Sequence, residues 1–379
     1  MISASITFKR EVFYLKRYIL LAIILLILLN NYIHAEELDI SAQSAILIDA
    51  KSKRILYEHN PHIKLPMAST TKIMTALLAL EKGKLDDKIE INKSAVGVEG
   101  SSIYLKEGEI ISLEDLLYGL MLRSGNDSAV AIAEYIGEGM ENFVEQMNQR
   151  AREIGANNTN FMNPHGLHHD NHYTTSYDLA LITSKALEYD KFKEIVSTKV
   201  WKANRQANNI FYNKNKTLWD YEGGDGVKTG YTTKSGRCLV TSATREGTQL
   251  IAVVLNDGNW FEDCYKLMDY GFNNYKSYLI FDKGQFVKKI PVIDGEKDKV
   301  TAVISDFFQY PLSEEELDKV SISIDLPRTV SAPIKEGEKL GQIKVYLNGI
   351  MIHKEDIVSK ENIDKIGFVR RFFNKINNK

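Results

Sequence analysis

The chain has 379 residues, 44% of them apolar and 26% charged, which suits two globular domains and excludes both a mini-protein and a wholly disordered chain. Its 48 basic and 50 acidic side chains leave a net charge of −2, giving no support to a nucleic-acid-binding protein. Two cysteines in this length exclude a disulfide scaffold.

Lys9, Arg10, Lys16 and Arg17 precede an apolar run from Tyr18 to Leu29, and Ala35 follows before Glu36 and Glu37. Positive flank, short apolar run and small residue are the layout of a secretory signal peptide, cleaved near Ala35. As a helix the run spans only about 18 Å, short of the ~30 Å hydrocarbon core, so a retained anchor is the weaker reading. Cleavage removes four basic residues and one acidic residue, leaving an exported chain of net charge −5. Export permits a disulfide, yet two buried free thiols are the expectation for Cys238 and Cys264.

Ala45 to Ile48 and Ile55 to Tyr57 are apolar around a polar turn, the pattern of a β-hairpin. A helix-rich stretch follows, from about Pro66 to Tyr189. Within it Thr71 to Leu80 is apolar nearly all round, a buried helix ended by Gly83, and Leu113 to Leu122 and Ser128 to Ile136 are further helices. Strands return at Gly226 to Tyr231, Cys238 to Ala243 and Leu250 to Leu255, before a helix from Trp260 to Tyr270. This order predicts one α/β domain of the α+β type with a mostly antiparallel sheet, since hairpin turns are too short for crossovers. Beyond Tyr275 the alternation Val320, Ile322, Ile324, Leu326 and Ile343, Val345, Leu347 predicts a small β-rich second domain. At the end, Ile366, Val369, Phe373 and Ile376 recur at helical spacing with Arg370, Arg371, Lys375 and Lys379 mostly opposite. A basic amphipathic helix of this kind suits an anionic membrane surface, and a helix docked on its own domain is the alternative.

Three short motifs could carry chemistry. Ser69-Thr70-Thr71-Lys72 places Ser69 and Lys72 three residues apart at a helix start, within a side chain's reach. A serine hydroxyl needs a neighbouring base, and a lysine, ordinarily near pKa ~10.4, becomes one when burial or a second cation lowers it. About one or two chance matches to S-x-x-K are expected at this length, so alone it decides nothing. Ser124-Gly125-Asn126 breaks two helices; it is either a turn or cap, or a hydroxyl to relay a proton and an amide to hold a carbonyl or the lysine. Lys228-Thr229-Gly230 lies in a strand, where it is either an exposed edge or a cation and hydroxyl for a carboxylate beside a residue without a side chain. Lys234-Ser235-Gly236 repeats the pattern but reads as a hairpin turn.

The three motifs, in this order, resemble the low-molecular-mass penicillin-binding proteins, the serine-type D-alanyl-D-alanine carboxypeptidases. The resemblance includes Ala68 to Ala76, Arg123 to Asp127, Asn163-Pro-His-Gly-Leu167 and Asp225 to Thr232, and extends to the β-rich domain and the tail. It implies a penicillin-binding/β-lactamase-like domain with a five-stranded antiparallel sheet and a helical block. The layout is then 1–35 signal peptide, 36–275 catalytic domain, 276–358 β-rich domain and 359–379 membrane-anchor helix. It implies Ser69 as nucleophile, Lys72 as its general base and Ser124 as a third catalytic group. Asn126, Lys228, Thr229, Gly230 and Tyr231 are implied as substrate-binding, with the backbone N–H groups of Ser69 and Tyr231 as the oxyanion hole. The implied partners are the D-Ala-D-Ala end of a peptidoglycan stem peptide, β-lactams as covalent inhibitors and, through the tail, the outer face of the cytoplasmic membrane. No cofactor is expected.

His165, His168, His169 and His172 invite a zinc reading, but no H-E-x-x-H accompanies them and the resembling loop carries no metal, so no metal is expected. Thr175 and Asp178 form a capping-box pattern, a structural role. Arg237 either adds positive charge near the carboxylate site or is a solvated strand residue. Two alternatives remain. A β-lactamase is disfavoured because no E-x-x-L-N segment is present, and a non-catalytic β-lactam-sensing or wall-binding module because a sensor needs a transmembrane segment.

Overall fold

The computed structural model describes residues 38–367. The signal segment and the tail from Phe368 lie outside the described residues. Strands β1 (Ser44–Asp49) and β2 (Ile55–His59) form the expected hairpin. A 3-10 turn, Ala68–Thr71, then leads into helix α1 (Lys72–Lys82). The helix expected from Thr71 therefore begins one residue later, behind a tighter turn. The ribbon β3 (Lys88–Glu90) with β4 (Ile110–Ser112) precedes α2 (Leu113–Leu122), α3 (Asn126–Gly137), α4 (Met140–Ile154), α5 (Ser176–Ala186) and α6 (Asp190–Ser197). A second ribbon, β5 (Val200–Lys202) with β6 (Ile210–Tyr212), and one helical turn, α7 (Thr217–Asp220), lead to β7 (Gly224–Thr232), β8 (Gly236–Arg245) and β9 (Thr248–Leu255). Helix α8 (Trp260–Asn274) closes the domain.

The sheet order is β2-β1-β9-β8-β7 and every pairing is antiparallel; the short connections require this for β1-β2, β7-β8 and β8-β9, while β1-β9 joins the two ends of the domain. All six residues of β1 are buried because both faces of the sheet are covered. Ile46, Ile48, Val240, Ile251 and Val253 face the helical block and join its core. On the other face α8 packs so closely that a Cβ on Gly271 would lie 2.6 Å from Leu250 and 2.7 Å from Leu47. Helix α1 runs through the helical core and is buried from Lys72 to Ala79, as its all-round apolar sequence predicts. β7 is an edge of the sheet, and it lies against the turn before α1. Cys238 and Cys264 are buried free thiols.

The second domain has its own core, with Ile290, Val300, Val345 and Ile357 at its centre. Its larger sheet has the order β14-β16-β17-β12-β11-β15, built from β11 (Phe286–Ile293), β12 (Lys299–Ile304), β14 (Val320–Asp325), β15 (Val330–Ser331), β16 (Lys339–Leu347) and β17 (Ile350–Ser359). β10 (Lys276–Phe281) and β13 (Phe308–Leu312) form a separate pair. The alternation at Ile343, Val345 and Leu347 is buried as expected. In β14 it is not: Ile322 and Ile324 remain about half exposed, because this edge strand overhangs the core. The tail also differs from the expected boundary at 359. Ser359 ends β17, Ile363 bridges Ile334 and is buried, and Lys365 bridges Gly295, so the β-rich domain runs to at least Lys365. The two domains meet at Arg54, which donates to the Pro311 carbonyl, pairs with Glu316 at 2.5 Å and lies over the Tyr275 and Tyr310 rings.

Candidate active site

Ser69 occupies the second position of the 3-10 turn. Ala68 before it adopts a left-handed conformation (φ +48°), and two threonines fold back to hold that shape. Thr70 Oγ1 donates to the Met67 carbonyl at 2.6 Å and Thr71 Oγ1 to the Ala68 carbonyl at 2.8 Å. Lys72 follows in the first turn of α1, and its Nζ lies 3.0 Å from Ser69 Oγ. The spacing of three thus does what the sequence predicts.

The surroundings of Lys72 decide its chemistry. It is fully buried, and its other two contacts are Asn126 Oδ1 at 2.7 Å and the His165 carbonyl at 2.6 Å. The Asn126 amide is oriented by its Nδ2, which donates to the Glu99 carbonyl. Both acceptors are neutral, and none of Lys72, Lys214 or Lys228 pairs with a carboxylate among the described residues. Burial, then the nearby Lys228, pull the Lys72 pKa well below the ordinary lysine value, against a smaller opposing pull from Asp127. A neutral amine has two N–H groups and one lone pair. In that neutral form, with the N–H groups given to Asn126 and His165, the lone pair would face the Ser69 hydroxyl; in the ammonium form Nζ donates to all three.

Lys228 is also buried, far from the exposed edge lysine that is common in strands. Its Nζ donates to the Thr229 carbonyl at 2.8 Å, and burial, then Lys214, bring its pKa down to about 7. Gly230 shows why β7 lacks a side chain there: a Cβ would meet Ser69 N at 3.0 Å, Ala68 Cβ at 3.1 Å and the Met67 carbonyl at 3.2 Å. The strand backbone therefore lies directly against the serine's turn. Thr229 is partly buried and Tyr231 is exposed.

Ser124 sits between α2 and α3 in a left-handed conformation (φ +62°) and is almost fully buried. Its hydroxyl hydrogen-bonds no protein group among the described residues, so the structure brings its motif to Lys72 through Asn126 and not through the serine. Asn126 also donates its own N–H to the Ser101 carbonyl at 2.7 Å. The neighbouring Asp127 carboxylate accepts from Ser102 Oγ and from the N–H groups of Ile103 and Leu105. From the other side Arg205 donates to the Ile103 and Tyr104 carbonyls. This loop is therefore laced to the second motif.

Several contributors are absent from the sequence reading. Asp127, Lys214 and Arg205 are one group, and the backbone carbonyls of Glu99 and His165 are another. Lys214 donates to Ser101 Oγ at 3.3 Å, and burial, then Arg123, lower its pKa. Asp127 carried a signal, an acid in the first turn of a helix directly after the motif. The carbonyls carry none, since every residue has one.

The four clustered histidines do not converge, and no group of three or more potential ligands gathers anywhere among the described residues. Lys234-Ser235-Gly236 is the expected turn, with Ser235 and Thr232 exchanging hydrogen bonds. Thr175 caps α5 through the Asp178 N–H, while the Asp178 carboxylate turns to Asn158 and Thr159. Arg237 is exposed and donates to the Gly258 carbonyl at 3.0 Å.

Residues 31–259 match the D-alanyl-D-alanine carboxypeptidase family, and residues 275–365 match the C-terminal domain of penicillin-binding protein 5. The chain is 34% identical over 344 residues to the D-alanyl-D-alanine carboxypeptidase DacF of Bacillus subtilis, covering 88% of each protein. It is 33% identical to DacC of Escherichia coli, covering 88% of this chain and 86% of that protein. Among solved structures it is similar to penicillin-binding protein 5 of Haemophilus influenzae, with a TM-score of 0.74 at 30% identity over 86% of this chain and 98% of the other. By its motifs, its two domains and these relatives, the chain belongs to the D-alanyl-D-alanine carboxypeptidase family, the low-molecular-mass penicillin-binding proteins.

Proposed function

We propose that this chain removes the terminal D-Ala from peptidoglycan stem peptides through an acyl-enzyme on Ser69. The observation that carries the reading is the buried Lys72 amine, held by two neutral acceptors and directed at the Ser69 hydroxyl. Ser69 Oγ attacks the penultimate D-Ala carbonyl as Lys72 takes its proton. The tetrahedral oxyanion is received by the backbone N–H groups of Ser69 and Tyr231, which needs the close approach that Gly230 allows. The lysine ammonium then returns the proton to the leaving D-Ala nitrogen, directly or through Ser124, as the C–N bond breaks. Water, deprotonated by the regenerated amine, cleaves the ester and restores Ser69.

The terminal carboxylate enters where Lys228, Lys214 and Thr229 supply positive charge and a hydroxyl, neither lysine being paired with a carboxylate among the described residues. A β-lactam meets the same serine and is held as a penicilloyl ester. The deciding experiment is D-Ala release from a pentapeptide by residues 36–379, wild type beside Ser69→Ala and Lys72→Ala. Release by wild type and none by either variant supports the reading, and wild-type protein that takes penicillin but releases no D-Ala overturns it.

The setting is outside the cytoplasm, where the stem peptide lies. The basic-apolar-small pattern ending at Ala35 supports export, and the basic amphipathic tail supports a peripheral membrane contact. No helix among the described residues is long and apolar enough to cross a membrane.

A further inference from the structure

The histidine-rich loop has no part in the chemistry above except one carbonyl, yet it touches the nucleophile's turn repeatedly. Thr75 Oγ1 donates to the Pro164 carbonyl at 2.6 Å, and Lys72 donates to the His165 carbonyl. Gly166, at φ +91°, approaches so closely that a Cβ would lie 1.9 Å from the Ala68 carbonyl oxygen. His172, 101 residues from Thr71 in sequence, places its Nε2 at 2.8 Å from Thr71 Oγ1.

The direction of these bonds follows from one partner. The Met162 backbone N–H can only donate, and it lies 2.9 Å from His172 Nδ1. Nδ1 therefore carries no proton, and a neutral ring holds its proton on Nε2, which donates to Thr71 Oγ1. The Thr71 hydroxyl has a single proton, and it goes to the Ala68 carbonyl at 2.8 Å. The chain of donors runs in one sense, from the Met162 amide through His172 and Thr71 to the residue before Ser69. Ala68 is the left-handed alanine, a conformation that costs a residue with a Cβ free energy and persists where its surroundings impose it.

We propose that His172 is a positioning residue for the nucleophile, its Nε2–H tautomer bracing Thr71 and the Ala68 carbonyl so that Ser69 stays aligned with Lys72. The ring is 2% exposed and meets Phe161 edge to face. Burial first, then the charges of His165, His169, His168 and Lys72, push its pKa down to about 3. The ring is thus neutral near pH 7, as the direction of its two hydrogen bonds requires. The inference rests on Ser69 being the nucleophile.

The test measures the rate at which a fluorescent penicillin labels residues 36–379, well below each variant's melting temperature. His172→Phe keeps the ring volume and removes both bonds; Thr71→Val removes only the hydroxyl. Each is expected to slow labelling by about 10- to 100-fold. The double variant is expected to be no slower than the worse single, because the two residues act as one chain. His172→Gln, whose amide can still donate to Thr71, is expected to recover labelling to within about threefold of wild type. Folded variants that label at the wild-type rate, or single losses that multiply in the double, overturn the brace. If His172→Phe does not fold, Thr71→Val decides alone, by the same loss or its absence. Labelling of Ser69→Ala at the wild-type rate would instead overturn the nucleophile assignment.

Discussion

Asn126 Oδ1 lies 2.7 Å from Lys72 Nζ, and the other end of the same amide is tied to the Glu99 carbonyl. The contact supplies an acceptor without supplying a negative charge. That distinction favours the neutral amine that the proposed mechanism requires, because a carboxylate in the same place would favour the ammonium.

Asn126→Asp is therefore expected to disable the enzyme at neutral pH by more than its small change in shape suggests. An anion this close raises the Lys72 pKa, and the acid limb of the labelling rate moves up by about 1 to 3 pH units. Acylation at pH 7 falls by about 10- to 100-fold and recovers at alkaline pH. The check is a pH profile of penicillin labelling for both proteins. Parallel profiles that differ only in height would show that the amide acts by shape alone.

Lys228 gives an opposite pH dependence. Its pKa is brought down to about 7, and only its ammonium form attracts a carboxylate. In the free enzyme kcat/KM for a peptide ending in free D-Ala should decline as pH rises through about 7, and the limb should be absent for the peptide C-terminal amide. Stability follows from the same lysine. Its folded pKa lies below the unfolded value of ~10.4, so the burial penalty is fully present below about pH 7 and fades between there and pH 10. Lys228→Met is expected to raise the melting temperature at pH 6, less at pH 9, while D-Ala release drops by about 100-fold. A thermal gain that does not change with pH would count against a buried charge as its source.

Gly230→Ala tests the packing of β7 on the serine's turn. Its Cβ would press on Ser69 N, Ala68 Cβ and the Met67 carbonyl, two of them backbone atoms that move only with the turn. Overpacking of this kind costs about 1–3 kcal/mol. Labelling should slow by about 10-fold or more as the turn shifts. Thermal unfolding and labelling together check it, and a fully active, equally stable variant would mean that the strand simply withdraws.

The contrast between Lys72 and Asp127 shows what the amino-acid order could and could not disclose. Lys72 announces itself because the helix repeat converts a spacing of three into a contact with Ser69. Its remaining partners come from Asn126, 54 residues on, and from the His165 carbonyl, a backbone group with no residue type to mark it. Asp127 and Arg205 hold the 102–105 loop from opposite sides through its N–H and C=O groups, again invisible in a side-chain pattern. The core strands were readable because their apolar runs are buried on both faces. β14 had the clearest alternation of all and is mostly exposed, since alternation reports a two-faced strand and not what covers the apolar face.

The end of the chain shows how a boundary changes an experiment. Deleting from Asn362 onward would also remove Ile363, which is 1% exposed and bridges Ile334, together with the Lys365 bridge to Gly295. Losing a buried isoleucine of this kind costs about 2–5 kcal/mol, so that truncation confounds anchoring with unfolding of the β-rich domain. Deleting 368–379 leaves both bridges in place. This shorter truncation is expected to keep the melting temperature within a degree or two and D-Ala release unchanged, because the groups proposed to carry catalysis lie in the other domain. It should also move the protein from vesicles containing anionic lipid into the soluble fraction, with added salt weakening the full-length protein's binding in the same direction. Flotation of the two proteins with such vesicles decides it: equal flotation would place the membrane contact elsewhere than in the basic tail.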